Sequence, residues 1–450
     1  MGIKDIEKHS TAFVLLKHWV KFWHNWIFYR KVEYINREKV PIHEHLIFTP
    51  NHQNALMDAL AIEMSFRNQF VFLARSDIFQ NRFIAKLLYF FKILPVYRIR
   101  DGYDSLKKNQ EIFAKTMDII RNKNGFVIFP EGNHAGFRRL RSLKKGFARI
   151  AYQAEEAAGY QLDMKIIPVG INYTHYESYR SDLLVIFGEP VDASDFYEPH
   201  KINPAVAYNL IKEKLAEKIK PLMIEIDSPY YDLYHGLRKI YGKQACQWLS
   251  LNPKRLYERF QAEKIMIDRL KKYETGHTGA MPVFDKQLKD YLENLEIMHF
   301  SHEEMTQKPA SIFMLGLKIL GLVAGFPLFT YGYLNHFIPY FISLYAARKV
   351  KDPQFRSSFK YVFSLVLFPL FYVLQTAIVN LIFPHAWFVI SYLISLPPSA
   401  AFAWNYAKFF KKTRKQFFFI KHRRRKTERY KNAENLWDEI DNRMHVVFGK

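Results

Sequence analysis

Between residues 40 and 192, short apolar runs alternate with stretches whose apolar positions recur at helical spacing. The short runs predict strands at 45–49, 70–74, 93–98, 125–129, 165–171 and 183–187. The longer stretches predict helices near 59–66, 78–90, 103–122 and 145–158; in the third, Leu106, Phe113, Met117 and Ile120 repeat at helical spacing. Strand alternating with helix implies an α/β fold, with a largely parallel sheet flanked by helices. Ligands of such a sheet are expected beyond the C-terminal ends of its strands.

The pattern changes on either side of this domain. Residues 1–39 hold a helical stretch, 11–31, with three Trp among Lys, His and Arg. It reads either as a helix in the headgroup layer of a membrane or as one packed on the following domain. Residues 193–310 are charged helical patterns with a break at 274–282, a helical extension with no chemistry to assign. Residues 311–347 carry Lys318 as their one charge and contain Pro327 and Pro339, so they are expected to form a short hairpin of two spans. Residues 361–383 have no charge and are long enough to cross about 30 Å of hydrocarbon. Residues 385–407 form a second such stretch, interrupted by Pro397 and Pro398. The whole of 311–407 is thus expected as a transmembrane region of two helical hairpins, followed by a basic tail at 408–450.

Charge sharpens the membrane reading. The chain has 450 residues, and 66 Lys and Arg against 43 Asp and Glu leave a net charge of +23. That balance calls for a polyanionic partner, nucleic acid or an anionic membrane surface. Arg348, Lys349, Lys351, Arg356 and Lys360 follow the first apolar stretch, and 411–426 holds nine Lys or Arg and no acid. Such clusters mark the cytoplasmic side and attract anionic lipid by about 1 kcal/mol per residue. The α/β domain and both termini are therefore expected on the cytoplasmic side of an integral membrane protein. The first ten residues do not form a secretory signal pattern. The single cysteine, Cys246, excludes a disulfide framework and a cysteine metal cluster. A nucleic-acid partner is not expected, because no nucleic-acid motif appears. A transporter is disfavoured because the spans carry almost no ionisable residues. A membrane-anchored polyanion-binding protein without catalysis stays open as a rival reading.

Four runs carry candidate chemistry. In the first, Asn51-His52 follows an apolar run and Asp58 lies six residues beyond the histidine. A carboxylate can fix one imidazole nitrogen and leave the other free to take a proton from a hydroxyl. No second histidine or carboxylate follows at ligand spacing, so no metal is expected here. The second run, Leu94-Pro95-Val96-Tyr97-Arg98-Ile99-Arg100, places two arginines at a strand end, where they can grip phosphate oxygens. The third, Phe129-Pro130-Glu131-Gly132-Asn133-His134, leads into Arg138, Arg139, Arg141, Lys144 and Lys145. Gly132 allows a tight turn and close approach to a ligand, and Glu131 can accept from a substrate hydroxyl or hold an arginine. In the fourth, Ile166-Ile167-Pro168-Val169-Gly170, a proline within a strand suggests an edge or a bulge.

In this order, these four blocks resemble those of the glycerolipid acyltransferase family, the lysophosphatidate and glycerol-3-phosphate acyltransferases. The similarity covers about residues 40–192. Lys144-Lys145-Gly146 and Phe187-Gly188-Glu189-Pro190 are similar to two further family signatures. The resemblance implies transfer of a fatty acyl group from a thioester to a hydroxyl of lysophosphatidate or glycerol-3-phosphate, with another lysolipid as a further option. No cofactor is implied; acyl-CoA or acyl carrier protein serves as co-substrate, and membrane lipids are the other partners. It makes His52 the catalytic base and Asp58 its orienting acid. It makes Arg98 the phosphate-holding arginine, places Glu131, Gly132 and Lys144 on the acceptor side, and associates Pro168 with the acyl side. Five residues separate His52 from Asp58, where most members have four; this resembles the fungal-type glycerol-3-phosphate branch. Asn133-His134 replaces the usual Thr-Arg or Thr-Ser, which bears on the identity of the acceptor.

Overall fold

The computed structural model describes residues 6–97, 104–306 and 311–449. The chain divides into two compact units, Met1–Glu225 with Ala347–Tyr361, and Ile226–Ala346 with Val362–Lys450.

The first unit is built on an eight-stranded sheet. Its strands are β1 (Lys31–Ile35), β2 (Leu46–Pro50), β3 (Val71–Arg75), β4 (Ile93–Val96), β5 (Phe126–Val127), β6 (Lys165–Tyr173), β7 (Asp182–Phe187) and β8 (Val191–Asp192). The order is β1-β7-β6-β2-β5-β3-β4, with β8 also on β6. Pairing is parallel except where β7 and β8 meet β6. The helices are α1 (Thr11–Phe22), α2 (Leu56–Glu63), α3 (Arg82–Phe90), α4 (Asp104–Arg121), α5 (Gly146–Ala157), α6 (Tyr197–Ile202) and α7 (Pro204–Ile219). β2 and β7 are buried at every position, as the apolar runs predict for strands covered on both faces.

Three expected boundaries move. The N-terminal segment is not one helix: α1 is followed by a π-helical stretch, Trp23–Phe28, and then by edge strand β1. β1 runs parallel to β7, and Arg30 makes two hydrogen bonds to Asp182 (2.8 and 2.6 Å) at its start. The α/β unit therefore begins before residue 40; five half-buried residues are too short a run to stand out in the sequence. One face of α1 packs on the domain through Phe13, Val20 and a buried Lys17–Glu63 ion pair of 2.6 Å, while Trp19 and Phe22 stay exposed. The unit also continues past 192. Ile211, Leu215 and Ile219 of α7 join the core beside Phe147 and Ile166.

The second unit is helical. It contains α8 (Tyr231–Trp248), α9 (Leu256–Gly276), α10 (Met281–Ile297), α11 (His302–Thr306), α12 (Ile312–Arg348), α13 (Arg356–Ile382), α14 (Ala386–Arg425) and α15 (Glu428–Phe448), with the ends of α12 and α13 reaching into the first. α12, α13 and α14 are long and apolar enough to cross a membrane. The hairpin expected at 311–347 is instead the single helix α12, which runs through Pro327 and Pro339. Each proline removes one backbone donor, whereas a turn in an apolar setting strands many polar groups together. Gly332 is a packing glycine: a Cβ there would lie 2.4 Å from the Ser399 carbonyl oxygen. Pro397 and Pro398 likewise sit inside α14, which carries the basic residues 411–425 as helix. The remainder of the expected tail is α15, whose Ile440, Met444 and Phe448 are buried. It packs beside α8 and α10, with Tyr241 donating to Asp441 (2.8 Å) and Trp437 stacked on Tyr241.

Candidate active site

Strand β2 delivers the chain to the C-terminal edge of the sheet. Asn51 extends the pairing with β6 by side chain: its amide donates to the Ile171 carbonyl (3.2 Å) and its Oδ1 accepts from the Ile171 N–H (2.6 Å). His52 leaves the sheet from that anchored point. Its Nδ1 lies 2.9 Å from Oδ2 of Asp58, which is fully buried in the first turn of α2. The same oxygen accepts the backbone N–H groups of Gln53 (2.7 Å) and Asn54 (2.6 Å), and Oδ1 accepts the Tyr173 hydroxyl (2.8 Å). A carboxylate ringed by donors takes the hydrogen of Nδ1, which leaves the Nε2 lone pair for a substrate proton. Burial and the Asp58 charge raise the Tyr173 hydroxyl well above its ordinary value, so it remains a donor. The turn to α2 passes through Ala55 at φ 45°, ψ −123°, a costly conformation for a residue with a Cβ.

The Phe129–His134 run closes over this pair. The His52 ring stacks on Phe129 (4.1 Å between centroids) and meets His134 edge-on (5.3 Å). Burial, then the neighbouring His52, lowers the His134 pKa. Glu131 is buried and turned towards the main chain. Its Oε1 accepts the His52 backbone N–H (2.7 Å) and its Oε2 that of Arg141 (3.1 Å). It holds Arg141 by the main chain and ties the base to the basic loop, so its place is that of a brace. Burial pushes its carboxyl up to about 7. Gly132 sits at φ +67°, which favours glycine, and a Cβ there would press on the Lys144 side chain at 3.2 Å from Cγ. Lys144 is exposed and donates its backbone N–H to the Pro130 carbonyl (2.7 Å), which keeps the basic loop against the turn.

Other expected residues divide. Arg138 belongs to the core and not to an anion site: it is buried, donates to the Tyr173 carbonyl (2.6 Å) and stacks on Tyr176. Pro168 is neither at an edge nor in a bulge. It lies in central β6 opposite Thr49, where the antiparallel partner changes from β8 to β7. Its carbonyl accepts the Gly188 N–H (2.9 Å) on that side, so the missing proline N–H costs no bond to β2. Arg98 and Arg100 lie outside the described residues.

A protein-family model described as Acyltransferase matches residues 31–172. Over these residues the chain is similar to that family. The match begins at Lys31, the first residue of β1, which agrees with the edge strand being part of the α/β unit. Glycerol-3-phosphate O-acyltransferase 2 of Saccharomyces cerevisiae is 27% identical over 137 residues, covering 30% of this chain and 18% of the relative. Glycerol-3-phosphate O-acyltransferase 1 of the same yeast is 29% identical over 104 residues, covering 23% and 14%. The chain thus matches less than a fifth of the length of these curated relatives. The crystal structure of the 1-acyl-sn-glycerophosphate (LPA) acyltransferase PlsC from Thermotoga maritima is similar at 19% identity and a TM-score of 0.33, over 46% of this chain and 79% of that one.

Several residues around the His52–Asp58 pair carry no signal in the sequence. Asn51 precedes His52 and Tyr173 lies three residues beyond Gly170, yet nothing in one dimension says that they hold β6 and Asp58. Arg75 ends β3, next to β5, and pairs with Asp77. Ending a strand parallel to its neighbours, it stands on the same edge of the sheet as His52.

Proposed function

We propose that this chain is a membrane-bound O-acyltransferase that moves a fatty acyl group from an acyl thioester to a hydroxyl of glycerol-3-phosphate or lysophosphatidate. The observation that carries the proposal is the His52–Asp58 pair, with Nδ1 tied down and Nε2 free, beside a basic loop. His52 Nε2 takes the proton of the acceptor hydroxyl as that oxygen attacks the thioester carbonyl. The carbon–sulfur bond then breaks, and the imidazolium returns its proton to the leaving thiolate. No protein nucleophile is needed. General-base action of this kind contributes about 10²–10⁴-fold, and holding the acceptor phosphate on Arg98, Arg141 and Lys144 supplies proximity. The yeast relatives favour glycerol-3-phosphate over lysophosphatidate.

Three apolar helices of crossing length support a membrane-bound protein. Ala347–Tyr361 belongs to the same unit as the dyad, and its Arg348, Lys349, Lys351, Arg356 and Lys360 favour the cytoplasmic side for both. Residues 226–306 contain no apolar helix of crossing length, and the C-terminal end of α12 enters the catalytic unit. The α13–α14 pair is then the membrane-crossing hairpin.

The test is purified full-length protein with labelled glycerol-3-phosphate or lysophosphatidate, each with acyl-CoA and with acyl carrier protein thioester, and His52→Ala as the inactive control. Binding to anionic vesicles without thioester turnover on any pair would support the polyanion-binding reading instead.

A further inference from the structure

The segment Ala347–Tyr361 lies between two apolar helices in sequence but belongs to the catalytic unit. Tyr179 donates to the Lys360 carbonyl (2.9 Å), Lys360 to the Glu177 carbonyl (2.7 Å) and Tyr361 to the Val20 carbonyl (2.8 Å). Phe355 meets the His134 ring edge-on at 4.7 Å, and Asp352 lies 3.7 Å from His134 Nδ1. His134 in turn faces the His52 ring.

One contact of this connector leads directly to the dyad. Ser357 is completely buried, and its hydroxyl donates to Asn54 Oδ1 at 2.5 Å. The Asn54 amide donates to the Tyr176 carbonyl (3.2 Å), so both ends of that side chain are held. The Asn54 backbone N–H is one of the two main-chain donors to Asp58 Oδ2, the oxygen that binds His52. Ala55, the next residue, is in a strained conformation that relaxes unless its neighbours are restrained. We propose that Ser357 is a positioning residue for acyl transfer. By locking Asn54 it keeps the N–H of that residue on Asp58 and the imidazole aimed at the acceptor. The connector between the apolar helices is thereby a working part of the site, a proposal that rests on the acyltransferase reading.

The experiment uses the full-length chain with Ser357→Ala, Ser357→Thr, Asn54→Ala and the Ser357→Ala/Asn54→Ala double variant. Ser357→Ala is expected to lower kcat about tenfold and to leave both KM values within about twofold, with Ser357→Thr restoring most of the loss. The double variant is expected to be no slower than Asn54→Ala, because the serine acts through the asparagine. Additive losses overturn the proposal. Tyr179→Phe cuts a connector bond that does not lead to Asp58 and is expected to leave kcat within about twofold. An equal loss there overturns the proposal, since docking in general would then be responsible. Labelling of His52 by diethyl pyrocarbonate, read by mass spectrometry, is expected to rise in Ser357→Ala and not in Tyr179→Phe. An inactive wild type defeats the acyltransferase reading alone, and the labelling ratio still decides the role of Ser357. Unchanged labelling in Ser357→Ala overturns it.

Discussion

Asp58→Asn separates the charge of the dyad from its geometry. The carboxylate accepts three N–H groups on Oδ2 and one hydroxyl on Oδ1. An asparagine with its oxygen in the Oδ2 position keeps the three N–H bonds, and the Tyr173 hydroxyl can rotate to accept from the amide. What disappears is the negative charge opposite the imidazolium that forms in the transition state. The two groups touch at 2.9 Å in a buried setting. At an effective dielectric of about 20, opposite charges in such contact attract by about 4 kcal/mol. At about 1.4 kcal/mol per tenfold this corresponds to a loss of about 10³ in kcat. The assay is steady-state transfer from a labelled acyl thioester by full-length protein, with thermal unfolding followed in parallel. The expected pattern is a collapse of kcat, KM values close to wild type and an unfolding midpoint within a few degrees. A loss of less than about tenfold at intact stability would refute the reasoning, because the reaction would then develop no positive charge on His52.

Tyr173→Phe removes the hydroxyl that donates to Asp58 Oδ1 at 2.8 Å; a hydrogen bond to a charged group is worth about 1.5–3 kcal/mol, so kcat should fall about 10–100-fold. A fall of that size matched by an equal loss of folded protein would assign Tyr173 to stability alone. Arg98→Ala should raise the KM for the phosphate acceptor far more than that for the thioester, and equal effects on both would remove its assigned role. Glu131 carries a carboxyl raised from 4.5 to about 7, so its stabilising contribution is full below pH 4.5 and is lost as pH rises through 7. The unfolding midpoint of wild type should therefore exceed that of Glu131→Gln most at low pH, with the gap narrowing towards pH 7. A gap that widens over that range would show that the ionised form is the one the fold prefers.

The sheet was legible because its strands are buried on both faces and read as apolar runs. β2 and β7 are buried throughout, and six of the eight strands fall where those runs lie. β1 and β8 escaped because one is half-buried and the other has two residues. His52 and Asp58 were legible together because an imidazole needs a partner within short reach along the chain, and α2 supplies it in its first turn. The apolar stretch 311–347 misled, because prolines and glycines mark turns in water but can mark close packing where backbone groups have no other partner.

Local chemistry, then, was set by the order of residues: which runs are strands, where the chain turns at Gly132, and which side chains stand at strand ends. Three dimensions alone decided the partnerships between distant positions. Tyr173 reaches Asp58 across 115 residues, Ser357 reaches Asn54 across 303, and Glu131 is buried with each of its oxygens on a main-chain donor. The physical reason is that a side chain's type states what it can donate or accept, while burial and the fold determine who is there to receive it.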